Sequence, residues 1–136
     1  MRSRIGTTVG RAAALALALS LGPGPWPGAT PVQAQAQGPE VASGSRAVLR
    51  GLDKVSGETV DLSLNRGEEI TFARLQITLV ACRYPVQAPE SDAFAFLEIR
   101  HARNGEQLFR GWMVASSPAL NALDDPRYDI WVLSCE

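Results

Sequence analysis

Between Ala47 and Cys135 the chain never carries an apolar pattern for more than about eight residues before a turn signal stops it. That punctuation is the strongest constraint on the fold, because long helices need longer uninterrupted periods. Thr59-Val60-Asp61-Leu62-Ser63-Leu64 alternates strictly, with Val60, Leu62 and Leu64 on one side and Asp61 and Ser63 on the other. Ala47–Leu52, Glu69–Phe72, Leu75–Cys82, Ala93–Ile99, Gln107–Val114 and Tyr128–Cys135 read as further strands. Between them lie Asp53–Gly57, Asn65-Arg66-Gly67, the proline-bearing stretch Tyr84–Asp92 and Asn104-Gly105, a strong hairpin signal. Ser117 in front of Pro118 reads as an N-cap for one short helix over Pro118–Leu123, which Asp124-Asp125-Pro126 stops. The expected fold is all-β: an antiparallel sandwich or small partly closed barrel of about seven strands with one short helix.

Parity assigns the faces. Leu75, Ile77, Leu79 and Ala81 point to the core, which places Cys82 on the opposite face with Gln76 and Thr78. Ala93–Ile99 is apolar on both parities and reads as a central strand. Trp131 shares its parity with Leu133 and Cys135 on a doubly apolar strand, which favours the core. Trp112 falls on a mixed face with Leu108, Arg110 and Val114, so core and ligand contact both stay open.

The N-terminus has a different grammar. Arg2, Arg4 and Arg11 precede or flank the uncharged apolar run Ala12–Leu21, which Gly22-Pro23-Gly24-Pro25 ends. The run is too short to span a bilayer. Ala34-Gln35-Ala36 supplies a small-residue site, with cleavage expected after Ala36 or Ala34. Residues 1–36 are therefore expected to be a secretory signal peptide, residues 37–45 a flexible leader, and residues 46–136 a single all-β domain without a transmembrane segment. The expected compartment is the periplasm, or another exported location. The charge balance changes with the signal removed. Of the 13 basic residues, three lie in the signal, with none of the 14 acids, so 10 face 14 in the remainder, a net of −4. That balance, with no basic cluster, disfavours nucleic acid as a partner.

Only Cys82 and Cys135 are present. In an exported chain they are expected to form one disulfide, closing a loop of roughly fifty residues.

The segments Leu49–Lys54, Ala81-Cys82-Arg83-Tyr84-Pro85, Ala93–Ile99, Gly111-Trp112-Met113, Ala115–Leu123, Pro126–Asp129 and Trp131-Val132-Leu133 are similar to domain of unknown function 2155, a set of small exported Gram-negative proteins. The stretch from Ser116 to Trp131 carries the most specific part of the likeness. The resemblance implies export and a compact single domain. It assigns no activity.

The chemistry available is sparse. One histidine, His101, sits at a strand end before a polar hairpin, and a zinc site wants three ligands. No nucleophile elbow surrounds Ser116 or Ser117, no calcium loop frames Asp124-Asp125, and no glycine-rich phosphate loop occurs. No catalytic residue, metal or cofactor is assigned, and the expected role is non-enzymatic: binding an envelope protein or a small ligand. Connecting segments carry function more often than scaffolds. The candidate contact residues are accordingly Tyr84, Trp112, Ser116, Asn121, Arg127 and Tyr128. A carbohydrate-binding module, with Trp112, Tyr84 and Tyr128 as stacking residues, is the alternative. A small hydrolase that brings His101 to Ser116 is the third reading.

Overall fold

The computed structural model describes residues 38–136; the expected signal peptide, residues 1–36, and its expected cleavage points lie outside the described residues. Eight strands and one 3-10 turn form in chain order: β1 Val41–Ser43, β2 Arg46–Asp53, β3 Thr59–Asn65, β4 Glu69–Phe72, β5 Leu75–Pro85, β6 Phe94–His101, β7 Gln107–Val114, the turn Pro118–Asn121, and β8 Tyr128–Cys135. They make two antiparallel sheets. The larger runs β1-β5-β6-β7, and β4 also pairs with β5. β4 lies along Leu75–Thr78, and β1 along Arg83–Pro85. The smaller sheet runs β3-β2-β8. The all-β expectation holds, as an open sandwich rather than a closed barrel.

Leu49, Leu64 and Ile130 from the smaller sheet meet Leu75, Ile77, Leu79, Leu97 and Ile99 from the larger, each at most 1% exposed. Each such side chain contributes about 1.5–3 kcal/mol of transfer free energy. Among the described residues no polar side chain is buried in this layer. Residues 115–127 pass from β7 in one sheet to β8 in the other, and Leu123 on this connection joins the core at 4% exposure.

Four expectations change. Residues 37–45 are not all leader: Val41, Ala42 and Ser43 pair with Pro85, Tyr84 and Arg83, so ordered pairing begins before Arg46. Ser117 stands at the start of the 3-10 turn, but its hydroxyl makes no capping bond. Trp131 faces outward from the smaller sheet, opposite Arg50, and its indole N–H donates to Asp129 Oδ2 at 3.0 Å. Cys82 points inward and is 1% exposed.

The last change has a specific cause. Leu79 pairs with Leu97 but Ala81 pairs with Phe96, so Val80 is an extra, outward residue, 41% exposed. This β-bulge flips the parity of everything after it. In β8, Val132 pairs with Leu49 and Ser134 with Val48, so Leu133 is likewise extra and 38% exposed. Each bulge lies two residues before a cysteine and turns it toward the other sheet. The result is the Cys82–Cys135 disulfide, with Cα atoms 5.9 Å apart, joining β5 to β8 across the sandwich. The β1–β2 corner runs over it: Gly44 N–H donates to the Cys82 carbonyl at 2.8 Å, and a Cβ on Gly44 would stand 2.5 Å from Cys135 Sγ.

Candidate binding face

The core side of β6 is Ala95, Leu97 and Ile99, so Phe94, Phe96, Glu98 and Arg100 project from the outer face of the larger sheet. Their cross-strand neighbours continue the pattern. Val114 lies opposite Phe94, Trp112 opposite Phe96, and Arg110 opposite Glu98 on β7, with Arg83 opposite Phe94 on β5. One half of this face is apolar and the other is charged.

The aromatic half is built as a chain of contacts. The Phe96 and Trp112 rings meet edge to face, with centroids 5.4 Å apart at 83°. The Arg83 guanidinium lies 5.1 Å from the Trp112 centroid, and the Arg110 guanidinium 5.7 Å from the Phe96 centroid. Arg110 Nε donates to Glu98 Oε1 at 2.8 Å, and Arg100 Nη2 stands 3.5 Å from Glu98 Oε2. The Arg110 hydrogen bond, helped by both positive charges and opposed by some desolvation, holds the Glu98 carboxyl below its ordinary 4.5. Among the described residues, no carboxylate reaches Arg83 and nothing accepts the Trp112 indole N–H. Trp131, on the other sheet, has its N–H taken by Asp129.

The six expected contact residues scatter. Trp112 is on this face. Asn121 lies beside it, its Nδ2 donating to the Trp112 carbonyl at 3.0 Å. Gly111 makes room for that amide, since a Cβ there would come within 2.8 Å of Asn121 Nδ2. Tyr84 packs toward the core, the parity flip having turned Arg83 outward and Tyr84 inward. It lines a cleft of about 400 Å³ with Pro89, Glu90, Asp92 and Ser134 at the disulfide end. Ser116 serves Asp92 there, donating from its N–H at 3.0 Å and its hydroxyl at 2.8 Å. Burial pushes the Asp92 carboxyl up, but these bonds and the Ala93 N–H outweigh it and leave it below 3.8.

Arg127 and Tyr128 sit at the start of β8, the end of the strand away from Cys135. Arg127 donates twice to Asp53 Oδ2, at 3.1 and 2.9 Å. Tyr128 is 5% exposed, met edge-on by Phe72 at 5.8 Å and flanked by the guanidiniums of Arg74 and Arg127. It packs as a core residue and offers no stacking surface. Tyr84, Trp112 and Tyr128 therefore do not form one sugar platform. His101 Nδ1 accepts from the Arg103 N–H at 3.3 Å, at the far end of β6 from Asp92 and Ser116, so the histidine and serine are about a strand's length apart. Among the described residues no three His, Cys, Asp or Glu side chains are grouped to hold a metal, and no helix is long and apolar enough to cross a membrane.

Sequence reasoning missed Arg83 and Phe96 as partners of Trp112, and Arg110 as the partner of Phe96 and Glu98. The signal was present in β6, where Phe94, Phe96, Glu98 and Arg100 share one parity: two aromatics followed by two charges is the signature of an outward face.

These features define an antiparallel β-sandwich whose larger sheet has an outer face half apolar and half charged, with arginines over its aromatic rings. The chain belongs to the family described as uncharacterized protein conserved in bacteria (DUF2155), whose model matches residues 47–135. It is similar to the uncharacterized protein RP359 of Rickettsia prowazekii (strain Madrid E), 30% identical over 87 residues, which cover 62% of this chain and 56% of that protein. The matched stretch thus spans little more than half of that relative. No solved structure matches the chain.

Proposed function

We propose that this chain is an exported, non-enzymatic accessory of the periplasm that binds another envelope protein through the outer face of its five-stranded sheet. The observation that carries the reading is the state of Trp112: half-buried, fixed by Phe96 and Arg83, with its indole N–H free among the described residues. A tryptophan held beside arginine, with charged residues at its side, has the composition of an interface hot spot. Export rests on the basic, apolar and small-residue order of residues 1–36, and the disulfide suits an oxidising compartment. The carbohydrate alternative loses support because Arg83 and Arg110 lie over the ring faces a sugar would stack on.

In-cell photo-crosslinking tests this. A benzophenone amino acid at Phe94 or Val114 is expected to capture a discrete protein, and the same group at Thr59 or Ser63 on the smaller sheet to capture none. Equal capture from both sheets, or none from Phe94 and Val114, rejects the assignment of the face.

A further inference from the structure

We propose that the docking segment is acidic: a stretch of partner protein that presents carboxylates to Arg83 and Arg110, held over Trp112 and Phe96, and apolar side chains to the neighbouring Phe94 and Val114. This rests on the reading of the face given above. Three observations carry it. First, the guanidiniums cover the ring faces, so an incoming group meets guanidinium edges and their N–H donors rather than bare π surface. Planar donors in a fixed fork select carboxylate. Second, no carboxylate among the described residues neutralises Arg83, and Arg110 engages Glu98 through Nε alone, which leaves its Nη groups free. Stacking on Trp112 already orders Arg83, so less side-chain entropy is lost when a partner arrives.

Third, the charge is segregated. Beyond residue 36 the chain carries a net of −4, yet the outer face of the larger sheet sets three arginines, Arg83, Arg100 and Arg110, against two carboxylates, Glu98 and, from β4, Glu69, which is held by Gln76 and Thr78. An acidic segment is repelled by most of the domain and admitted here, which fixes where it docks. The same acidic excess opposes approach to an anionic bilayer, whose binding wants a cluster of several basic residues.

The test uses the full chain and a soluble peptide rich in Glu, Ser and Tyr, with a counterpart carrying Gln for Glu. The Glu peptide is expected to bind with salt-sensitive affinity, and the Gln peptide about tenfold more weakly or less well still. Arg83→Ala is expected to cost about tenfold, and Arg83→Lys to fall between, because it keeps the charge and loses the planar fork. Arg50→Ala, on the outer face of the smaller sheet, leaves the affinity unchanged, and thermal unfolding of each variant verifies that it is folded. Equal binding of the two peptides, an Arg50→Ala loss matching that of Arg83→Ala, or binding to phosphatidylglycerol vesicles without binding to the peptide overturns the inference. The crosslinking above separates the two levels. A captured partner segment without acidic residues removes the charge inference and keeps the binding face, whereas no face-specific capture removes both.

Discussion

Opening the Cys82–Cys135 bond asks how much of this fold depends on one covalent link. The bond closes a loop with a sequence separation of 53. In the chain-entropy treatment, a loop of that length constrains the unfolded state by about 4 kcal/mol at 25 °C. A domain of this size has a total stability on the order of 5–15 kcal/mol. The link is therefore worth about a quarter of the total or more. Each kcal/mol moves the melting temperature of such a domain by about 4–8 °C. The assay is urea unfolding at neutral pH with and without reductant, followed by tryptophan fluorescence, and repeated on the Cys82→Ala/Cys135→Ala chain. Reduced protein is expected to unfold at much lower urea, with a free-energy difference near 4 kcal/mol. A difference below about 1 kcal/mol refutes the reasoning. It would mean that the hydrogen bonds of Gly44, Ser45 and Arg46 to Cys82 and Glu136 hold that end of the sandwich without the crosslink.

Deleting Val80 removes the bulge and returns Cys82 to the outer face, so thiol titration of the denatured variant is expected to find two free thiols where the parent has none. Leu123→Ala leaves a cavity where the β7–β8 connection joins the core and is expected to cost about 2–5 kcal/mol by the same urea assay. Asn121→Ala removes one amide-to-carbonyl bond to Trp112 and is expected to cost about 1 kcal/mol. The carboxyls of Asp53, Asp61, Asp92 and Glu98 are all held below their ordinary 3.8 or 4.5 in the fold. Their contribution is full above those unfolded values and is lost as pH falls through the lower folded ones. The melting temperature is thus expected to hold steady from neutral pH down to about 5 and to fall below about 4. Asp92→Asn should flatten part of that fall; an unchanged acid limb would exclude Asp92 as a contributor.

The strands were legible because alternation and turn residues act locally. β3 and the Asn104-Gly105 hairpin follow from their own residues, with Gly105 at a φ of 71°. Faces were legible only as far as each bulge. Nothing in Leu79-Val80-Ala81 announces an extra residue, because a bulge is fixed by the pairing of Leu79 and Ala81 with Leu97 and Phe96 on another strand. Strict alternation therefore puts Cys82 outward and hides Arg83, whose side depends on the same flip. The core position expected for Trp131 fails for a related reason. Apolarity on both parities describes a covered strand equally well as an outward tryptophan whose N–H finds Asp129. The cysteine pair was readable without geometry, since two residues allow one pairing. The binding face was half readable: Trp112 stood out as a residue, but its partners come from β5 and β6, and no spacing along the chain encodes that meeting.

The most direct measurement compares two tryptophans on opposite sheets. Full chain carrying Trp112→Ala or Trp131→Ala is coupled to beads and used to capture the protein that the Phe94 and Val114 crosslinkers identify. Melting temperatures verify that both variants are folded. The account predicts that capture falls about tenfold or more with Trp112→Ala and is retained with Trp131→Ala. Retained capture with Trp112→Ala, or equal loss with both, contradicts it.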